Sequence, residues 1–352
     1  MDGQRYAMHA NGPLVLLALD CGGIRGVCEL VILDEIMRQV QSGLGLGDLP
    51  KPCDYFHLIG GTGTGGLIAL LLGRFQMDTQ EALRVYNDLA GAIFSKGNQK
   101  WKFQDGAFKA TTVEAKVKEL VASRDTGEFM MDSATTPEMG KAFVCAMPAT
   151  NMAHPRRFRT YPARNLASAN CSIWEAVRAT SVAPTFFKRI AIGEEGRAKE
   201  EFVDGSTGCS NPSQEVLEEA RNIFGEKRGF CCLVSVGAGH PGTIEQSKPD
   251  AFQKMLPRNV VDSLRKITTS CQDAALRLNW RFRRQNNLYF RFNVSQCAGS
   301  ISLEEWKKTN EIESQTKSYM EETEVTDAID RLVKLLCAPV ESGHFIGDVC
   351  QS

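Results

Sequence analysis

Two glycine-rich clusters, each following an apolar run, are where this chain could do chemistry. The first reads Asp20-Cys21-Gly22-Gly23-Ile24-Arg25-Gly26 after the run 14–19; the second reads Gly60-Gly61-Thr62-Gly63-Thr64-Gly65-Gly66 after the run 55–59. In open α/β sheets ligands bind outside the carboxyl ends of strands, so glycine turns there are candidate sites. Gly61, Gly63 and Gly66 fit the dinucleotide pattern Gly-x-Gly-x-x-Gly. That fingerprint belongs to the first strand–turn–helix of its unit, with an acid at a later strand end. Here the cluster follows a second unit, and the acid beyond it, Asp88, falls inside a predicted helix. The other reading is a nucleophile elbow, Gly-x-Ser-x-Gly, at a sharp strand-to-helix turn. Gly61-Thr62-Gly63-Thr64-Gly65 supplies that frame with glycine in the serine's place. Glycine there relieves backbone strain and removes the reactive hydroxyl. A third strand end carries Asp204-Gly205-Ser206, where the carboxylate is either a turn former or a general base.

These groups must be held by a layered scaffold. Residues 14–19 are continuously apolar, as a buried parallel strand requires. Val27, Leu30, Val31, Leu33, Ile36, Met37 and Val40 then recur at helical spacing, and Gly43, Gly45 and Gly47 end that helix. The same grammar predicts a strand at 55–59 before the second cluster and a buried helix over 67–72. A helix capped at Asp78 should run to about Ile93, and 112–122 should be helical. A basic excursion on the surface is expected from Lys96 to Lys109. Strands are predicted at 142–147, 201–203, 231–236 and 289–294. Short helices are expected at 173–180, opened by Ser172 with Glu175 three residues on, and from Pro212 to about Phe224. Beyond Pro249 the chain turns largely helical, with a polar helix at 304–322 and an amphipathic one at 326–336. Strands alternating with helices argue for an α/β layer fold.

The ordered blocks between about residues 13 and 293 resemble the patatin-like phospholipases. Asp20–Gly26 resembles that family's Asp-Gly-Gly-Gly-x-Arg-Gly oxyanion loop, and Gly61–Gly65 its Gly-x-Ser-x-Gly elbow. Asp204-Gly205-Ser206 resembles the motif that supplies the catalytic aspartate, and Trp174–Phe187 resembles the helix ahead of it. The resemblance implies a three-layer α/β/α sandwich with a mostly parallel central sheet and helical C-terminal additions. It implies an acyl-hydrolase domain over 13–300 and a helical extension, 301–352, packed on the same domain. It also implies hydrolysis of phospholipid or other lipid esters by a Ser–Asp dyad without histidine. Asp204 would take the serine's proton, and an acyl-enzyme would form and be released by water. Gly22 and Gly23 would donate backbone N–H groups to the oxyanion, with Arg25, Thr62, Thr64 and Gly65 in support. Two departures bear on activity. Position 63 has no hydroxyl, so the first expectation is a variant inactivated by a single exchange of its serine, inactive or strongly impaired in ester hydrolysis. Position 21 is Cys where glycine is usual, costing roughly 1 kcal/mol or more if its φ is positive. Cys21 sits on a different strand end from the elbow, which argues against it as a substitute nucleophile. The alternatives are a naturally divergent member with another acyl-related activity, or a pseudoenzyme that binds lipid or a partner.

Composition narrows the partners. Forty-one basic and forty-two acidic residues leave a net charge of −1, so no nucleic-acid partner is expected. Twelve cysteines and five histidines show no metal-ligand spacing, so neither metal nor cofactor is expected and the thiols should be free. Cys28 and Cys53 read as core thiols, and His57 and His240 have no role in the site. Nothing resembles a targeting segment or an apolar run long enough to span a bilayer; a cytoplasmic protein with possible peripheral membrane contact is the expectation. The sequence leaves the oligomeric state open.

Overall fold

The computed structural model describes residues 11–93, 95, 98, 108–124, 126–131, 139–150, 154–163, 170–181, 188–193, 196, 198–203, 208–240, 271–285, 287–295, 308–338 and 343–351. Its strands are β1 (Leu14–Leu19), β2 (Leu58–Thr62), β3 (Lys141–Pro148), β4 (Arg156–Arg159), β5 (Ile190–Ile192), β6 (Glu200–Val203), β7 (Gly229–His240), β8 (Tyr289–Ser295) and β9 (His344–Phe345). They form one sheet in the order β5-β6-β3-β2-β1-β7-β8, with β4 on β3 and β9 on β7. The run β3-β2-β1-β7-β8 is parallel. The margin pairs β3–β6 and β5–β6 are antiparallel.

The helices are α1 (Gly26–Leu44), α2 (Thr64–Ala69, continued by a wider turn at Leu70–Arg74), α3 (Thr79–Ile93), α4 (Ala110–Ala122), α5 (Ile173–Thr180) and α6 (Ser213–Phe224). After them come α7 (271–282), α8 (Thr309–Met320), α9 (Thr323–Cys337) and α10 (Ile346–Gln351). β1 shows why the fold has three layers. All six of its residues are buried, and successive side chains enter opposite cores. Val15, Leu17 and Leu19 join residues of α1–α5, α8 and α9, whereas Leu14, Leu16 and Ala18 join residues of α6, α7 and α10. The result is an α/β/α sandwich.

Local signals set the helix ends. Gly45 takes φ 62° and closes α1, a left-handed conformation that glycine adopts at little cost. Asp78 Oδ1 accepts the Glu81 N–H at 2.8 Å. Ser172 and Glu175 form the reciprocal capping box of α5.

Two expectations need correction. The second strand is not at 55–59: Pro52–Asp54 makes a tight helical turn, and β2 runs from Leu58 through Gly60 and Gly61 to Thr62. Glycine is tolerated mid-strand because a Cβ at 60 would press on Phe143 and Val216. The basic excursion is not wholly a surface feature: Phe108 is fully buried, and Asn98 Nδ2 donates to Ile93 O at 2.7 Å. Most of 96–107 lies outside the described residues, as does the start of the polar helix expected at 304, which is seen only as α8.

Candidate functional site

β1 and β2 lie side by side in parallel register, Leu19 opposite Gly61, so their carboxyl ends deliver the two glycine loops to one place. The first loop is fixed by its backbone: Asp20 N–H donates to Val236 O at 3.1 Å and Cys21 N–H to Ser210 O at 2.9 Å. Gly22 N–H donates to Thr64 Oγ1 at 3.2 Å, which ties the loops together. A Cβ at Gly22 would overlap that of Ala238, so glycine is required by close approach. Gly23, with φ 59°, opens a short turn into α1, and Tyr86 OH donates to its carbonyl at 2.5 Å. Arg25 is buried, its Nε 3.4 Å from Gly22 O.

The second loop retains the form of an elbow. Gly63 has φ 60° and ψ −124°, a region costly for any residue with a Cβ. Its N–H donates to Thr180 Oγ1 at 2.9 Å, and the Thr180 hydroxyl in turn donates to Cys145 O at 2.6 Å. Thr62 is buried at the end of β2, with its hydroxyl 3.8 Å from Cys209 Sγ. A Cβ at Gly65 would overlap the carbonyls of Leu19 and Asp20, so the chain turns directly against the first loop.

Cys21 and Gly63 meet. A Cβ built on Gly63 would overlap Cys21 Sγ and lie 3.2 Å from Cys21 Cβ. The thiol thus fills the room that a side chain at 63 would take. Its position on another strand end does not separate it from the elbow, contrary to the sequence argument. The condition for a backbone penalty at Cys21 is not met: among the described residues only Gln76 and Asn287 are non-glycines at positive φ. Asp204, Gly205 and Ser206 lie outside the described residues. β6 ends at Val203, which pairs with Met147 near the end of β3.

A buried charge cluster supports the first loop. Arg291 Nη2 reaches Asp20 Oδ2 at 2.6 Å and Nη1 reaches Ser235 Oγ at 2.8 Å. Burial pushes the Asp20 carboxyl above its usual range while Arg291 draws it back. Burial works against the Arg291 guanidinium, yet Asp20 outweighs it and holds the charge firmly. Glu29, fully buried on α1, is pushed well up by burial and then by the neighbouring Asp20. A cavity of about 10 Å³, roughly the room of one water, is lined by Asp20, Cys21, Arg25, Cys271 and Asn293 among others. His57 is structural: its Nδ1 accepts the Val15 N–H at 3.1 Å. Among the described residues no group of His, Cys, Asp or Glu could hold a metal ion, and the eleven described cysteines are in no disulfide.

The sequence reading missed Thr180, Tyr86, Ser210 and Arg291. Thr180 stood in a block already singled out, but nothing local marked its contact with Gly63. Arg291 sits on the strand predicted at 289–294, and nothing local marked its contact with Asp20.

A parallel sheet layered by helices on both faces, with two glycine loops meeting at the carboxyl ends of its first two strands, defines an α/β/α sandwich with a site at its strand ends. A profile of the patatin-like phospholipase family matches residues 17–217, more than half of the chain, and the chain belongs to that family. It is similar to the calcium-independent phospholipase A2-gamma of Rattus norvegicus, 26% identical over 337 residues, covering 91% of this chain and 40% of that protein. It is also similar to patatin-like phospholipase 1 of Plasmodium falciparum (isolate NF54), 27% identical over 318 residues, 83% of this chain and 45% of that one. Patatin-like protein 2 of Oryza sativa subsp. indica is 22% identical over 333 residues, 84% of this chain and 80% of its own. The chain thus spans about two fifths of the length of the phospholipase A2-gamma relatives.

Proposed function

We propose that this chain is a patatin-like lipid acyl hydrolase in lineage whose elbow has lost its nucleophile, leaving ester hydrolysis at or near background. The observation that carries this reading is the meeting of Cys21 with Gly63. The elbow backbone is kept, but the space beside it is taken by a thiol from the other loop. Two departures that fit each other sterically favour natural divergence over a single exchange at position 63, which would have left the first loop as glycine. In an active member, a serine at 63 would give its proton to Asp204 and attack the ester carbonyl. The N–H groups of Gly22 and Gly23 would stabilise the oxyanion, which elsewhere is worth on the order of 3 kcal/mol per donor. Here Gly22 N–H rests on Thr64 instead. What remains is a site that binds a lipid, another acyl compound or a partner rather than one that turns it over.

The test is hydrolysis of short p-nitrophenyl esters by the unaltered chain. Rates at background support the reading. Strong turnover overturns it, and its loss in Cys21→Ala would then assign the reaction to the thiol.

A further inference from the structure

Helix α7 leaves the candidate site and carries a face with exposed apolar side chains. Its first described residues, Cys271 and Gln272, line the cavity beside Cys21. Its inner side, Ala275, Leu278 and Phe282, is buried. Its outer side exposes Leu276 (57%) and Trp280 (70%), one turn apart on the same face. Two large apolar side chains exposed side by side and rimmed by charge are a candidate contact surface.

The charges around them choose the partner. Along α7 and the turn after it, Arg277, Arg283 and Arg284 are exposed against one acid, Asp273. Arg283 stacks on the Trp280 ring, its guanidinium carbon 3.5 Å from the centroid. Beyond Arg283 lies an open cleft of about 480 Å³ lined by Asn279, Arg283, Gln285, Asn287 and Arg331, with no acid among the described residues of its wall. A tryptophan and a leucine ringed by arginines suit the boundary of an anionic bilayer: the ring sits at headgroup level and the guanidiniums meet phosphates. At 1.5 Å rise per residue, Trp280 lies roughly 14 Å along the helix from Cys271, so such docking keeps the site near the lipid.

We propose that the outer face of α7, with the Arg283–Arg331 cleft, docks this protein on an anionic lipid surface. This does not require ester hydrolysis, so the two proposals fail separately.

Co-sedimentation of the full chain with vesicles tests it, comparing phosphatidylcholine alone with phosphatidylcholine plus phosphatidylserine. Binding to the anionic vesicles is expected, weakening as salt screens the arginines. At about five-fold per basic residue near the surface, Arg277→Gln/Arg283→Gln/Arg284→Gln should bind on the order of 100-fold more weakly. The triple change Arg84→Gln/Lys109→Gln/Lys227→Gln, with the same net charge but distributed over other exposed positions, should lose far less. Leu276→Ser/Trp280→Ser should bind weakly while keeping its fold by circular dichroism. Equal binding to both vesicle types, no binding to either, or equal losses in the two charge-matched triples would overturn the proposal. So would a dimer in lipid-free solution that the α7 substitutions dissolve, which would assign the face to a second copy of the chain.

Discussion

Restoring a serine at position 63 should fail unless Cys21 is also removed. Gly63→Ser places a Cβ in a backbone region that costs of order 1–3 kcal/mol. It also drives that atom into Cys21 Sγ, with Cys21 Cβ at 3.2 Å. The thiol must leave its rotamer or the loop must shift; an off-rotamer χ alone costs about 0.5–1.5 kcal/mol. The single variant should therefore lose roughly 2–4 kcal/mol by these two effects. Its serine would stand in a displaced elbow, and ester turnover should stay low. In Cys21→Gly/Gly63→Ser the overlap is gone and only the backbone cost remains. Denaturant midpoints of the parent, both single variants and the double variant close a cycle, and a favourable coupling of about 1–2 kcal/mol is expected between residues in contact. Turnover of p-nitrophenyl esters by the double variant should exceed the parent's by about 10³-fold or more, comparable to losses on removing a nucleophile. Adding Asp204→Asn should erase the gain. If Gly63→Ser alone is as stable and as active as the double variant, the steric pairing is refuted. A double variant that folds yet stays at background would show that more than these two side chains separates this site from an active one.

Two further outcomes are expected. Arg291→Met should strand the Asp20 carboxyl beside Glu29 and destabilise the protein by about 3–5 kcal/mol, read as a fall in denaturant midpoint; a change near zero would remove the pair from the support of the loop. Thiol titration of the unfolded, unreduced chain should count all twelve cysteines, and ten or fewer would mean a disulfide.

The parts of the fold that could be read in the sequence are those governed by local chemistry. Continuous burial marked β1, the Ser172–Glu175 spacing marked the start of α5, and the left-handed turn at Gly45 is among the glycines expected to end α1. What could not be read depends on contacts between distant segments. The glycines of 60–66 look like one turn, yet Gly60 and Gly61 lie in β2, because their cause is Phe143 and Val216 packed across the strand and the return of the chain at Gly65. Tyr289–Val294 alternates as a half-exposed strand does. β8 is instead an arm of the parallel sheet with α7 on one side and α8 and α9 on the other, so Arg291 turns inward to a carboxylate 271 residues away. Cys21 and Gly63 are the sharpest case: each is a departure from the family pattern when read along the chain, and only the register of β1 on β2 shows that they touch.

Glu29 carries the last consequence of that burial. Asp20 and Arg291 both act on its carboxyl, Arg291 being the cation shared between the two acids, and Glu29 in turn acts on Tyr86. One guanidinium does not suit two buried carboxylates, so the pair is most stable with Asp20 ionised against Arg291 and Glu29 protonated. The Glu29 pKa is raised well above 4.5 in the folded chain, chiefly by burial. The folded state therefore holds a proton that the unfolded state releases. Stability from this group is complete below about pH 4.5 and is lost as pH rises through the folded value. Asp20, also raised, acts in the same sense. Glu29→Gln keeps a neutral side chain of the same shape at every pH and should abolish the Glu29 part of the loss. Melting temperatures of the two proteins should nearly coincide at about pH 5 and separate by about pH 9, with the variant the more stable. Parallel curves across that range would mean that Glu29 does not change its protonation on folding, and the neutral assignment would fall. A variant that is less stable at high pH would mean that the ionised carboxylate itself is needed, with Arg291 serving Glu29 rather than Asp20.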